Sequence, residues 1–187
     1  MAQQVITNQG LIKGSTSPMA QLYDNVAGSA IASWDVTGIS QIYNHLRVVL
    51  MARGDTAAVS TFARMRFNND SAANYASIYM AADQGAAIAG VEENSATSIE
   101  VGKVAAATAT ASHPGISTIE IPAYVGTTFF KNASWTNGFH SALTTLGHTA
   151  MSGDGVWVST AAINRITVFP TAGNFIAGSR LTIYGLL

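Results

Sequence analysis

The chain has 187 residues with 9 Lys and Arg against 10 Asp and Glu, so 10% of it is charged, where an ordinary soluble protein is roughly 25% charged. At 48% hydrophobic it has apolar material for one sizeable core, and a domain of this length buries about 70% of its unfolded surface. A net charge of −1 supplies little field to gather nucleic acid or an anionic membrane, and zero cysteines exclude disulfides, thiolate metal sites and thiol nucleophiles.

In chain order, the opening Met1-Ala2-Gln3-Gln4-Val5-Ile6-Thr7-Asn8 has neither the basic start nor the long apolar run of a secretory signal. From Gln3 to Pro18, short apolar pairs (Val5-Ile6, Leu11-Ile12) alternate with Gly10, Gly14 and a Ser-Thr-Ser-Pro stretch. This predicts an extended arm or an edge strand over residues 1–18, ahead of a single domain over 19–187. The longest strongly apolar run, Val48 to Ala52, falls far short of the roughly 20 residues a membrane helix needs.

Most of the remaining chain alternates with a period near two. Leu46, Val48, Leu50 and Ala52 share one face of a predicted strand over His45–Arg53, and Ala63, Met65 and Phe67 share one face of another over Phe62–Phe67. Further strands are predicted over Ala30–Val36, Tyr75–Ala81, Ser98–Gly102, Ser117–Ile121, Thr128–Asn132, Val156–Ser159, Asn164–Phe169 and Arg180–Gly185, all rich in β-branched or aromatic residues. Turn chemistry separates them at Thr37-Gly38, Asn68 to Ser71, His113-Pro114-Gly115, Ser152 to Gly155 and Ala172 to Asn174, and Asn137-Gly138 fits a type I′ hairpin turn. The Ala-rich pieces Ala81–Gly90 and Val104–Ala111 favour helix by propensity, but their Gly and Thr residues leave strand or loop equally open. Many short strands without an amphipathic helix predict an all-β protein: an antiparallel β-sandwich of jelly-roll type.

Chemistry is sparse. His140 and His148 are spaced to meet across a hairpin, yet none of the four histidines has a ligand spacing with a carboxylate to complete a shell. They read as surface or hydrogen-bonded side chains, with no metal. Asn68, Asn69, Asp70 and Asn74 make an oxygen-rich loop, better explained by Asx hydrogen bonds than by Ca²⁺, since one carboxylate supplies little charge. There is no Gly-x-Ser-x-Gly elbow and no phosphate-binding glycine motif. Glu92-Glu93, the only adjacent acid pair, would point to opposite faces of a strand. The expectation is a non-enzyme with no catalytic, cofactor-binding or metal residues and no cofactor.

Two groups suggest contacts. Arg47, Arg53, Arg64 and Arg66 could line one sheet face, read as solvated or intersubunit rather than bound to nucleic acid. Trp135, beside Asn132 and Asn137 on a supposed hairpin, is the best candidate for stacking on a sugar. Trp135, Asn137, Asn68 and Asp70 are therefore the candidate glycan-contact residues. Low charge on a largely Ser, Thr, Asn, Gln, Ala and Gly surface gives weak protection against self-association, which favours an oligomer or a component of a larger particle.

Several segments carry a resemblance. Ile42 to Arg53, Arg64 to Tyr75, Ile119-Glu120-Ile121-Pro122-Ala123-Tyr124, Val156-Trp157, Ile163 to Val168 and the ending Asn174 to Leu186, with its Phe-x-x-Gly-Ser-x-x-x-x-Tyr-Gly-Leu pattern, resemble a family of tailed-bacteriophage virion proteins. The similarity covers most of residues 30–187. It implies a structural protein of the particle, made in the host cytoplasm and placed on the outer surface of the virion. The primary expectation is a capsid decoration (cement) protein, a homotrimer that contacts the major capsid protein and reinforces the head. The alternative is a tail or fibre receptor-binding protein that recognises host surface glycan.

Overall fold

The alternation of β3 fixes the inner face of the molecule. Leu46, Val48, Leu50 and Ala52 are all buried, while His45 and Met51 face solvent. The same pattern holds in β4, where Ala63, Met65 and Phe67 are fully buried. A computed structural model describes residues 18–83, 87–142 and 147–187, so the arm expected over 1–18 lies, apart from Pro18, outside the described residues.

Among the described residues twelve strands follow in order: β1 (Met19–Val26), β2 (Trp34–Thr37), β3 (His45–Ala52), β4 (Ser60–Phe67), β5 (Tyr75–Asp83), β6 (Ala89–Ala96), β7 (Ile99–Ala105), β8 (Gly115–Pro122), β9 (Lys131–His140), β10 (His148–Trp157), β11 (Arg165–Pro170) and β12 (Arg180–Leu186). They form an eight-stranded sheet, β1-β12-β3-β8-β9-β10-β5-β6, and a four-stranded sheet, β2-β11-β4-β7, with every strand pair antiparallel. Among the described residues there is no helix, so none long and apolar enough to cross a membrane.

Strands β1, β12, β3 and β8 face β2, β11, β4 and β7, and the chain passes between the two sheets at each step from β1 to β4. This is the wrapping of a jelly roll, as the sequence predicts. The larger sheet gains four strands from two inserted hairpins, β5-β6 and β9-β10. Its added half packs under β7, and beside the Phe62–Tyr79 ring contact an ion cluster ties it to the smaller sheet: Arg64 on β4 meets Glu93 of β6 at 3.1 Å and Glu100 of β7 at 2.6 Å. Burial pushes the Glu100 carboxyl up, against the opposing pull of Arg64.

The core lies between the sheets. Trp34 stacks on Phe175 with ring centroids 5.1 Å apart, and Phe67, Tyr75 and Trp157 form an aromatic cluster with centroids 5.9–6.5 Å apart. Two expected turns lie inside strands instead. Asn137-Gly138 belongs to β9, and Ser152 to Gly155 belongs to β10. Both glycines of the β10 segment face inward: a Cβ on Gly153 would lie 2.5 Å from the Trp135 ring, and one on Gly155 2.2 Å from Ile99. Those glycines serve close packing rather than chain reversal. The expected strand Thr128–Asn132 begins only at Lys131, and β1 and the greater part of β6 lie outside the predicted strands. Of the Ala-rich pieces, Ala81–Gly90 contributes to the ends of β5 and β6, its residues 84–86 lying outside the described residues, and Val104–Ala111 finishes β7 before entering a loop.

Candidate functional site

The four residues expected to contact glycan separate into two places. Trp135 and Asn137 project inward from β9 and are buried. The Trp135 ring packs against Tyr79 at 5.9 Å, and its indole N–H, sealed in the core, has no hydrogen-bond partner among the described residues. A ring in that position has no face to offer a sugar. The sequence placed it on a loop because Asn137-Gly138 reads as a turn, and that turn is interior strand.

Asn137 is a clip between the sheets. Its Nδ2 donates to Lys103 O, Ile116 O and Ser117 Oγ at 2.9–3.0 Å, and its Oδ1 accepts from the Lys103 amide at 3.1 Å. Opposite it, Gly102 adopts φ +107°, where a Cβ would lie 2.5 Å from the Asn137 side chain. Only glycine fits that conformation and that approach.

Asn68 and Asp70 stand at one end of the sandwich, on the β4–β5 loop. Asn68 and Asn69 take positive φ, at 50° and 59°, a conformation asparagine tolerates better than most residues. The Asn68 amide donates to Ala162 O and accepts from the amides of Asn164 and Arg165. Asp70 accepts from the Ala72 amide, from Asn74 Nδ2 at 3.0 Å and from Trp157 Nε1 at 2.7 Å. The Asn74 and Trp157 hydrogen bonds hold its carboxyl below the usual carboxylate range. These side chains build the loop through Asx geometry and tie it to the β10–β11 connection.

The neighbouring loops are bound into the same framework. The buried Tyr124 hydroxyl donates to Ser40 O, and Gln41 Nε2 donates to Ile163 O at 2.9 Å. Lys131, 2% exposed, donates through Nζ to Phe129 O at 3.0 Å and Thr160 O at 3.1 Å. Burial pushes the Lys131 ammonium pKa down. From this end protrude four apolar side chains: Phe129 (80% exposed), Ile42 (62%), Phe130 (53%) and Val158 (48%). Sequence pattern alone does not reveal them, because Phe129-Phe130 lies within the segment Thr128–Asn132 that predicts strand. The signal available was the Gly126-Thr127-Thr128 stretch just before it, too polar and flexible for a buried strand.

The arginines form no stripe. Arg47 pairs with Glu120 at 2.6 Å on the outer face of the large sheet, and Arg64 closes the sandwich as described. Arg66 lies over the Phe169 ring and donates to Thr97 O, while Arg53 binds backbone carbonyls at the opposite end.

The class defined by this fold is thus a jelly-roll sandwich with an enlarged sheet and a rigid, apolar loop end. No protein-family model matches the chain, and no curated protein is significantly similar to it.

Proposed function

We propose that the protein is a non-enzymatic structural component of a bacteriophage virion, a capsid decoration protein that assembles as a homotrimer on the outer head surface. The observation that carries this reading is the loop end bearing Phe129, Phe130, Ile42 and Val158, whose supporting loops are cross-linked by partly buried hydrogen bonds. Exposed apolar side chains on a preorganised support are suited to docking on another protein, because little freedom is lost on binding. Many copies on a lattice make modest individual contacts sufficient. The low charge of the chain fits a surface largely covered by neighbours.

The alternative of a tail or fibre protein binding glycan would have to use residues other than Trp135 and Asn137, which are inside the sandwich. The test is co-sedimentation of purified protein with heads that lack it. Saturable binding of the wild type, lost in a folded Phe129→Ser/Phe130→Ser variant, is the expected result. Equal binding by the variant, or no head binding together with selective glycan binding, would overturn the proposal.

A further inference from the structure

At the other end of the sandwich, on the outer face of the large sheet, three histidines stand together. His140 closes β9 and His148 opens β10, directly opposite each other in register. Their rings meet edge to face with centroids 4.2 Å apart, and the His113 ring lies 6.0 Å from that of His140. The backbone beneath is fixed. Phe139, pointing inward, packs with Ala105 and Ala109. The Arg53 guanidinium holds the loop that carries His113 by donating to Ala109 O, Thr110 O and His113 O at 2.8–3.2 Å. On the same outer face, the next residues along the two strands are Gly138 and Ala150, too small to cover the rings.

We propose that His140 and His148 form a cross-strand clamp for a borderline divalent cation of the Zn²⁺, Ni²⁺ or Cu²⁺ class. This inference is independent of the decoration reading. Imidazole nitrogen suits these ions and not Mg²⁺ or Ca²⁺, which take oxygen. With metal–nitrogen bonds of about 2.0–2.1 Å, two imidazoles on one ion have ring centroids roughly 4.5–5 Å apart. The observed 4.2 Å is within about 1 Å of that spacing, so rotation of two exposed side chains about their own bonds is what must bring one nitrogen of each ring onto the ion, with the strands left in place. Among the described residues no group of three or more His, Cys, Asp or Glu is placed to hold an ion, so the clamp is a two-ligand site with water completing the shell. Pairing across fixed strands supplies the gain: once one imidazole binds, the second is already present at high effective concentration.

The experiment is calorimetric titration of the untagged full-length chain with ZnCl₂ and with NiCl₂, with histidine side-chain NMR spectra recorded in parallel. One ion per chain is expected, with perturbed His140 and His148 resonances. His140→Ala and His148→Ala should each weaken binding by about a hundredfold, the lower end of a two-point gain. His45→Ala serves as control, because His45 lies at the opposite end and accepts a hydrogen bond from the Ala123 amide. Thermal melts establish that each variant is folded, and His148→Gln substitutes for any that is not. Absence of binding by the wild type, or affinity undiminished in a folded His140 or His148 variant, would overturn the proposal.

Discussion

Asn137 shows how one side chain can hold two layers together. Its amide satisfies the Lys103 amide and the carbonyls of Lys103 and Ile116 inside the molecule, where an unpaired backbone group costs roughly 1–3 kcal/mol. Asn137→Ala should lower stability by at least about that amount, read as a shift in the denaturant midpoint at unchanged slope. A neutral substitution would mean that water takes over the amide's role. Asp154 makes the opposite kind of statement. It faces outward from β10 between Ser134 and Ile78, and burial pushes its carboxyl pKa up. A carboxyl whose folded pKa exceeds its unfolded value favours folding at low pH, and that contribution is lost as pH rises through the folded pKa. Asp154→Asn should therefore melt above the wild type at pH 7, with the difference shrinking as pH falls below the folded pKa. A difference independent of pH would contradict this.

At the scale of the element, the strands with strict alternation were legible and those with small residues were not. β3, β4, β11 and β12 appear within a residue or two of their expected limits, because apolar residues at every second position can be satisfied only by one buried face. β10 was hidden because Gly153 and Gly155 look like turn residues until the rings and side chains beneath them are known. Gly155→Ala tests that reason: the new methyl would press on Ile99, and overpacking of this kind costs about 1–3 kcal/mol. Wild-type stability in Gly155→Ala would show that β10 has slack there. The last strand is not an edge. β12 lies between β1 and β3, so deletion of Leu181–Leu187 would strip β3 of a partner and detach β1. The expected product is aggregated rather than cooperatively folded, which sedimentation and a thermal melt would establish. A soluble, cooperatively melting truncation would refute this.

For the whole molecule, the jelly roll followed from the number of short strands, the turn residues between them and the lack of an amphipathic helix. The contact surface did not. A loop takes its exposure from neighbours distant in sequence: Phe129 and Phe130 protrude because Lys131 reaches Thr160 and Tyr124 reaches Ser40. Burial likewise depends on tertiary placement, and it removed Trp135 and Asn137 from the candidate site. Asn68 and Asp70 did fall at a loop end, as their turn chemistry implied, but their polar atoms are used in building it. The histidine pair was visible as a spacing. Its face and its third neighbour required the register of β9 and β10 and the loop organised by Arg53.

The proposed place on the outer surface of a phage head is tested by labelling intact virions with an antibody to the protein and locating the label by electron microscopy. Regular label over the head is the expected result. Label confined to the tail tip or fibres would contradict it and assign the protein to adsorption.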